Sequence, residues 1–350
     1  MSTQKQIAVV GAGLVGVRHI DSIGLASNAA LAAIVDTSET ARQTAADAGV
    51  GFYTSLPEML DQCKPDGVLI STPTRLHVEQ GMQCIDAGCP VLIEKPISTT
   101  AVDAYELVNH GEKHGVPILV GHHRRHNPLI QNAHALIEAG EIGDIRSAQG
   151  TCWLYKPDDY FEIAPWRKNV GAGPISVNLV HDIDLMRYLM GDVKTVQATA
   201  AKSARGHENE DVAAAVLSFD SGVIGTISVS DTVVSPWSWE LTASENPAYP
   251  ATNQSCLLIG GSKGSLSIPD LTLWTHRGEP SWWAPISATA LPRDFSDPLV
   301  NQIEHFGKVI AGNATPLVSG LEGMKTLQVI EAIQVSAQSQ RSVEVAEISR

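Results

Sequence analysis

The chain has 350 residues, with 24 Lys and Arg against 38 Asp and Glu, a formal net charge of −14, 43% hydrophobic and 18% charged residues. That length suggests two domains, and the composition is that of a folded chain and not a disordered one. The acidic balance argues against a protein that neutralises a nucleic-acid backbone or lies on an anionic membrane.

The first 120 residues alternate between short β-rich runs at 7–10, 31–35, 67–70, 91–94 and 118–120 and helical patterns at 15–27, 40–48, 57–63, 76–87 and 101–114. Nearly continuous apolar strands separated by helices predict a parallel, doubly wound sheet. Beyond about residue 124 the texture changes. Helices are expected at 127–139 and 179–190. Strands are expected at 195–200, 213–219, 223–229, 238–243, 255–259, 264–268 and 271–275, with turn residues between them, the pattern of an antiparallel sheet. Two more helices are expected at 294–311 and 321–336. All seven tryptophans lie at or beyond Trp153, so the two ends differ in kind. The reading is an α/β fold with domains 1–124 and 125–350.

Compartment signals are plain. Five scattered cysteines form no disulfide framework and no CxxC pair, and no apolar run reaches the roughly 18–20 residues needed to span a bilayer. The apolar run 7–17 contains three glycines and lacks a cleavage context, so it is not read as a signal peptide. A cytoplasmic protein is expected.

The sharpest local signal is Gly11-Ala12-Gly13-Leu14-Val15-Gly16, directly after the first strand and opening a helix. The first Gly permits the tight turn, the second lets a pyrophosphate approach the backbone, and the third lets helix pack on strand. The next strand ends at Asp36, followed by Thr37. An acid at that distance accepts hydrogen bonds from a ribose 2′-hydroxyl and repels a 2′-phosphate, so NAD is favoured over NADP. Asp36 could instead cap the next helix, a role that Ser38 fills better.

Three further strings sit at expected strand ends: Ser71-Thr72-Pro73-Thr74-Arg75-Leu76-His77, Glu94-Lys95-Pro96 and Gly121-His122-His123-Arg124-Arg125. Later come Trp166-Arg167 and Gly171-Ala172-Gly173-Pro174, followed by Asn178 and His181-Asp182-Ile183-Asp184. This ordered set resembles the Gfo/Idh/MocA oxidoreductases, the glucose–fructose oxidoreductase and inositol dehydrogenase family, over nearly the whole chain. The resemblance implies a Rossmann domain followed by a domain on a large open, mostly antiparallel sheet, with NAD as cofactor. It implies that Lys95 contacts the reacting hydroxyl and that His181 carries the proton. It also implies that Ser71, Thr72, Pro73, His77 and Glu94 belong to the cofactor side, and that Trp166 and Arg167 reach the cofactor. One position departs from the family pattern. Many members carry Asp four residues before the histidine, where this chain has Val177. Asn178, one residue later, can bind a hydroxyl but cannot take its proton.

The implied chemistry is oxidation of a secondary alcohol, which needs hydride removal and proton removal. A histidine, with a reference pKa of about 6.5, is a suitable base, and a neighbouring ammonium stabilises developing negative charge on oxygen. His123, just past a strand end, is expected to face substrate. Trp237 and Trp283 are candidates for a wall against a sugar's C–H face, with Tyr155 and Tyr160 adding hydroxyls. His122 and His126 are spaced as metal ligands can be, but Arg124 and Arg125 lie between them and no Cys or HExxH pattern is near. No metal is expected there or elsewhere.

The leading expectation is an NAD-dependent dehydrogenase for a sugar, sugar acid or cyclitol, assembled as a homodimer or homotetramer through the C-terminal sheet. The alternatives are a dihydrodiol dehydrogenase of aromatic breakdown, an enzyme using NAD transiently to cleave glycosidic bonds, and an NAD-binding sensor without turnover.

Overall fold

The computed structural model describes residues 4–348. The chain begins with β1 (Lys5–Val10), α1 (Leu14–Leu25), β2 (Ala29–Val35), α2 (Glu39–Ala48), β3 (Gly51–Tyr53), α3 (Leu56–Gln62), β4 (Gly67–Ile70), α4 (His77–Asp86), β5 (Val91–Ile93), α5 (Ala101–His114) and β6 (Ile118–Val120). Next come α6 (Pro128–Glu138), β7 (Ile145–Trp153), α7 (Asp158–Ile163), α8 (Val180–Met190), β8 (Val193–Lys202), β9 (Glu210–Phe219) and β10 (Ile224–Ser230). The remaining elements are α9 (Trp239–Thr242), β11 (Leu257–Gly261), β12 (Gly264–Ile268), β13 (Thr272–Thr275), β14 (Ser287–Ala290), α10 (Pro298–Ile310), α11 (Gly320–Ser339) and β15 (Val343–Glu344).

The contacts separate two bodies. The first holds residues up to His126 together with Ser296–Leu327, and the second holds Asn127–Phe295 together with Gln328–Ile348. The sequence predicts a single boundary after Arg124. The packing instead returns the segment around α10 to the first body.

The first body is a parallel sheet in the order β3-β2-β1-β4-β5-β6. Its strands are buried on both faces, which is why their sequences are continuously apolar. On one face Ala8, Val10, Val68, Ile70, Val91 and Ile93 pack with residues of α3, α4 and α5. On the other, Ile7, Val9, Leu69, Leu92 and Leu119 pack against Ile303, Phe306 and Val309 of α10. Polar caps set the helix starts: Ser38, Ser55 and Thr100 accept N–H bonds at the heads of α2, α3 and α5. The strand order reverses between β1 and β4, so the segments leaving these two strands splay apart at the switch point where such sheets bind nucleotides.

The second body is a nine-stranded sheet, β14-β13-β12-β11-β7-β10-β9-β8-β15. Its pairs are antiparallel except for β7 with β10. Alternate strand residues such as Ala148, Leu217, Ile227 and Ile259 share a core with Ile130 of α6 and Ile183 and Met186 of α8. The residues between them, including Gln149, Gln197, Thr199, Val216, Thr226 and Leu258, are exposed on the opposite face. No helix among the described residues is long and apolar enough to cross a membrane.

Two local expectations fail for identifiable reasons. The strand expected at 238–243 is instead the short helix α9, with Ser238 and Ala243 as its caps. Trp239, Thr242 and Ala243 are buried at helical spacing, and the Thr242 hydroxyl donates to the Ser238 carbonyl four residues back. β7, at the centre of the second sheet, escaped prediction because its inward residues, Ala148, Gly150 and Cys152, are small and weakly apolar. At Gly150 an added Cβ would lie 3.0 Å from Cδ1 of Ile227, so that side chain would have to give by a few tenths of an ångström. The helix expected at 294–311 starts at Pro298, with Asp297 as its cap.

Candidate active site

In the first body the glycine turn is built around three different needs. Gly11 has φ +86°, and a Cβ there would lie 2.9 Å from the Ser71 carbonyl and the Thr72 nitrogen. At Gly16 a Cβ would collide with the Gly11 carbonyl oxygen. Gly13 is different, because a Cβ there would meet no protein atom within 4 Å. It is the N-cap of α1 and supplies no side-chain cap, so the first-turn N–H groups of Leu14, Val15 and Gly16 face an anion-binding position. Leu14 and Val15 are exposed beside it.

Asp36 closes the adjacent β2 end. Its Oδ2 accepts the Ala12 N–H at 2.7 Å and its Oδ1 accepts the Ser38 N–H at 2.8 Å. Burial alone would raise this carboxyl, but hydrogen bonds from Ala12, Ser38 and Thr37 outweigh it and hold the pKa below the ordinary value. Ser38, not Asp36, caps α2. The loop's far wall is Ser71, whose hydroxyl donates to the Gly11 carbonyl at 2.6 Å. Next to it the Thr72 hydroxyl donates to Gln80 Oε1 at 2.6 Å, while Pro73 leads the following short helical turn.

His77, read as a cofactor residue, is buried, with Nδ1 2.9 Å from the Pro96 carbonyl and Nε2 2.8 Å from the Thr72 carbonyl. Both ring nitrogens are thus turned to the backbone of the segments after β4 and β5. The ring holds those segments together and presents no nitrogen outward.

Lys95 sits at the end of β5, half-buried, on a backbone fixed by its neighbour. The Lys95 N–H donates to Glu94 Oε2 at 3.1 Å, and Glu94 Oε1 faces His19 Nε2 at 2.6 Å. Burial opposes a charged Glu94, but the His19 hydrogen bond and charge, with Lys95 and His123 nearby, bring its pKa down to about 2. Gly121 makes room for this carboxylate, since a Cβ there would lie 2.8 Å from Glu94 Oε1. Sequence reasoning missed His19. The available signal was its place one helical turn after Gly16, on the face of α1 turned toward the sheet.

In the second body, Gly171–Pro174 leads into a π-helical turn, Ile175–Leu179, and then into α8. π-turns inside helices recur at functional sites because they re-aim side chains. Val177 and Asn178 lie on this turn, four and three residues before His181 in the first turn of α8, and all three are half-buried. The turn is held from two sides. Glu210 accepts the Ile175 N–H at 3.0 Å, and Gln334 Nε2 donates to the Ser176 hydroxyl at 2.8 Å. At Gly173 a Cβ would displace the Glu210 carboxylate from its place on the Ile175 N–H. Burial raises the Glu210 pKa despite the Ile175 N–H.

A second cluster gathers Tyr155, Tyr160, Trp166 and Arg167 with residues the sequence did not single out. Arg167 Nη1 donates to the Tyr160 carbonyl at 2.6 Å, and its guanidinium lies 3.9 Å from the Tyr160 ring centroid and 5.8 Å from that of Trp166. Lys156 is buried against Asp231, with Nζ 3.4 Å from Oδ2, and Arg205 Nη1 donates to Oδ1 of the same aspartate at 2.9 Å. Burial pushes the Lys156 pKa down, and Asp231 opposes it. The Tyr155 ring lies under Arg205 at 5.6 Å.

The two tryptophan candidates stand elsewhere. Trp237 packs edge-on against Trp153, with centroids 5.8 Å apart, and with Thr151 and Leu258 lines a hollow on the exposed face of the sheet. Trp283 is 85% exposed in the β13–β14 connection, which leaves the sheet at the end where β7 begins, opposite the end where Trp153 lies.

Two family models match in tandem. "Oxidoreductase family, NAD-binding Rossmann fold" covers residues 5–122, and "GFO/IDH/MocA C-terminal domain" covers 130–267. The chain belongs to the Gfo/Idh/MocA oxidoreductases. Relatives of this oxidoreductase include D-apiose dehydrogenase from Paraburkholderia graminis, 26% identical over 97% of this chain and 89% of the relative. Another is myo-inositol 2-dehydrogenase from Thermotoga maritima, 25% identical over 98% and 99%. Among solved structures, the WlbA dehydrogenase from Bordetella pertussis in complex with NADH and UDP-GlcNAcA is 26% identical, with TM-score 0.78, covering 97% of this chain and 98% of that one. The Gfo/Idh/MocA assignment agrees with the parallel sheet, the glycine turn and the large, mostly antiparallel sheet described above.

Proposed function

We propose that this oxidoreductase is an NAD-dependent dehydrogenase oxidising a secondary hydroxyl of a sugar, sugar acid or cyclitol. The observation that carries the reading is the Lys95 arrangement. Glu94 is held ionised by His19, accepts the Lys95 N–H and so fixes the lysine backbone at a strand end beside the nucleotide loop. The residues fit a dinucleotide. Gly13 and the uncapped head of α1 would receive the pyrophosphate, and Asp36 the adenosine ribose, with its charge disfavouring a 2′-phosphate. Bound nicotinamide supplies the hydride acceptor. Lys95 polarises the substrate hydroxyl, and His181 takes its proton, since Val177 leaves no carboxylate at the family's usual position. Asn178 binds a second hydroxyl. His123 and Tyr155 add substrate contacts.

Relatives named for apiose and inositol support the polyol class. The odd, scattered cysteine set suits a reducing cytoplasm. The exposed, uncharged sheet face carrying Gln197, Val216 and Thr226 supports a homodimer or homotetramer. The test is NADH formation on a panel of sugars, sugar acids, inositols and dihydrodiols. Turnover on none of them, or undiminished turnover after Lys95→Ala, would overturn the reading.

A further inference from the structure

On the surface of the first body, away from the strand ends of the glycine turn, Asp86, His110 and His114 form a cluster in which one ligand atom from each lies within 4.8 Å of the others. Asp86 ends α4, and the two histidines occupy the last turns of α5 at i, i+4 spacing, which places both on one helix face. The two helices therefore bring their negative dipole ends to the same spot, an electrostatic setting that favours a cation. His110 Nε2 faces Asp86 Oδ1 at 2.7 Å. His114 Nδ1 donates to the His110 carbonyl at 2.8 Å. That bond assigns the neutral ring's proton to Nδ1 and leaves a lone pair on Nε2, the tautomer that ligates through Nε2.

We propose that Asp86, His110 and His114 bind a divalent transition-metal ion of the zinc class, which clips the end of α4 to the end of α5. Two imidazoles and one carboxylate form a borderline donor set, suited to zinc or nickel and poorly suited to magnesium or calcium. At zinc–nitrogen and zinc–oxygen lengths of about 2.0–2.2 Å, tetrahedral ligand atoms lie about 3.4 Å apart. The His110–Asp86 separation must open slightly and the third ligand close in, and Asp86, with its side chain 63% exposed, is free to move. Chemically, the His110 Nε2–H···Oδ1 bond breaks, the neutral ring's proton moves through solvent from Nε2 to Nδ1, and zinc–nitrogen and zinc–oxygen bonds replace it. Water completes the fourth position. Binding therefore weakens as pH falls and the histidines compete for protons.

The test is titration of the untagged, full-length protein with zinc by isothermal calorimetry, with magnesium as the contrasting ion. One zinc per chain is expected, with affinity falling roughly tenfold or more in both His110→Ala and His114→Ala, and no response to magnesium. Zinc should also raise the thermal midpoint of the wild type but not of His114→Gln, a substitution at an exposed position. Failure of the wild type to bind zinc at millimolar concentration would overturn the proposal. So would unchanged affinity in both alanine variants, since the ion would then sit elsewhere. Neither readout depends on dehydrogenase turnover, so this site and the proposed activity can fail independently.

Discussion

His19 Nε2 lies 2.6 Å from Glu94 Oε1, joining the first helix of the nucleotide domain to the residue that precedes Lys95. The His19 side chain is fully buried and that of Glu94 nearly so. Removing His19 would leave the buried Glu94 carboxylate without this hydrogen-bond partner, which is strongly destabilising. The pair also ties the lysine's backbone to α1, the helix that begins at the phosphate-binding turn.

The sign of its pH dependence follows from Glu94. A folded pKa of about 2 lies below the ordinary glutamate value, so the stabilisation is fully present above about pH 5. It fades as pH falls toward 2, and the difference amounts to roughly 3 kcal/mol. Glu94→Gln should therefore lower stability at neutral pH and flatten the acid limb between about pH 5 and 2. Denaturant midpoints measured across that range would show it. A variant with the wild-type acid limb would mean that the pair does not carry this linkage.

Lys95→Ala should reduce turnover by about a hundredfold or more, a typical scale for a positioned polarising group, while leaving NADH binding largely intact. Single-turnover kinetics and NADH fluorescence titration separate the two effects. The partition matters more than the size. A loss confined to cofactor affinity would make Lys95 a binding residue and leave the hydroxyl without its proposed partner.

Asp36→Ala removes the acceptor of two backbone N–H bonds and, on the proposed cofactor placement, the charge beside the ribose. NAD affinity should fall roughly tenfold or more, with NADP affected less or even improved. Equal losses for both cofactors would show that the substitution merely disorders the loop between Ala12 and Ser38.

Much of this first body was legible in the chain because its signals are local. Continuous apolar strands, a glycine turn between strand and helix, and an acid at the next strand end each follow from neighbouring residues. The return of residues 296–327 was not legible, since nothing local to Phe306 says that it covers Ile7 and Leu69. β7 was missed for the opposite reason: its small inward residues match the core without looking like it. Lys156, Asp231 and Arg205 also escaped, because three charges far apart in sequence reveal a buried cluster only once the chain is folded. Bulk made Trp237 and Trp283 candidates, whereas the fold places one on the exposed sheet face and the other in an exposed connection.

The exposed sheet face makes its own prediction. Val216, 44% exposed on β9, an interior strand of the nine-stranded sheet, is flanked by the uncharged Gln197 and Thr226. Val216→Arg should leave the fold intact but insert a charge into any interface formed there. Light scattering should then show a shift from an assembly to single chains. A wild-type protein that is already monomeric would end the oligomer reading.

The glycine turn offers the cleanest separation of folding from binding, because its glycines serve different ends. At Gly16 a methyl group would strike the Gly11 carbonyl oxygen inside the protein, so Gly16→Ala should destabilise the first body by about 1–3 kcal/mol. At Gly13 the same methyl meets only open space in the protein, and φ at that residue is −71°, which any amino acid adopts. Gly13→Ala should therefore leave the denaturation midpoint nearly unchanged. If a pyrophosphate approaches the head of α1 there, the added methyl will nonetheless obstruct it, and NADH affinity should fall at least tenfold. The two variants, read side by side by chemical denaturation and cofactor titration, should show opposite patterns. Should Gly13→Ala bind NADH as the wild type does, the dinucleotide does not pass over that glycine, and the proposed cofactor placement is wrong.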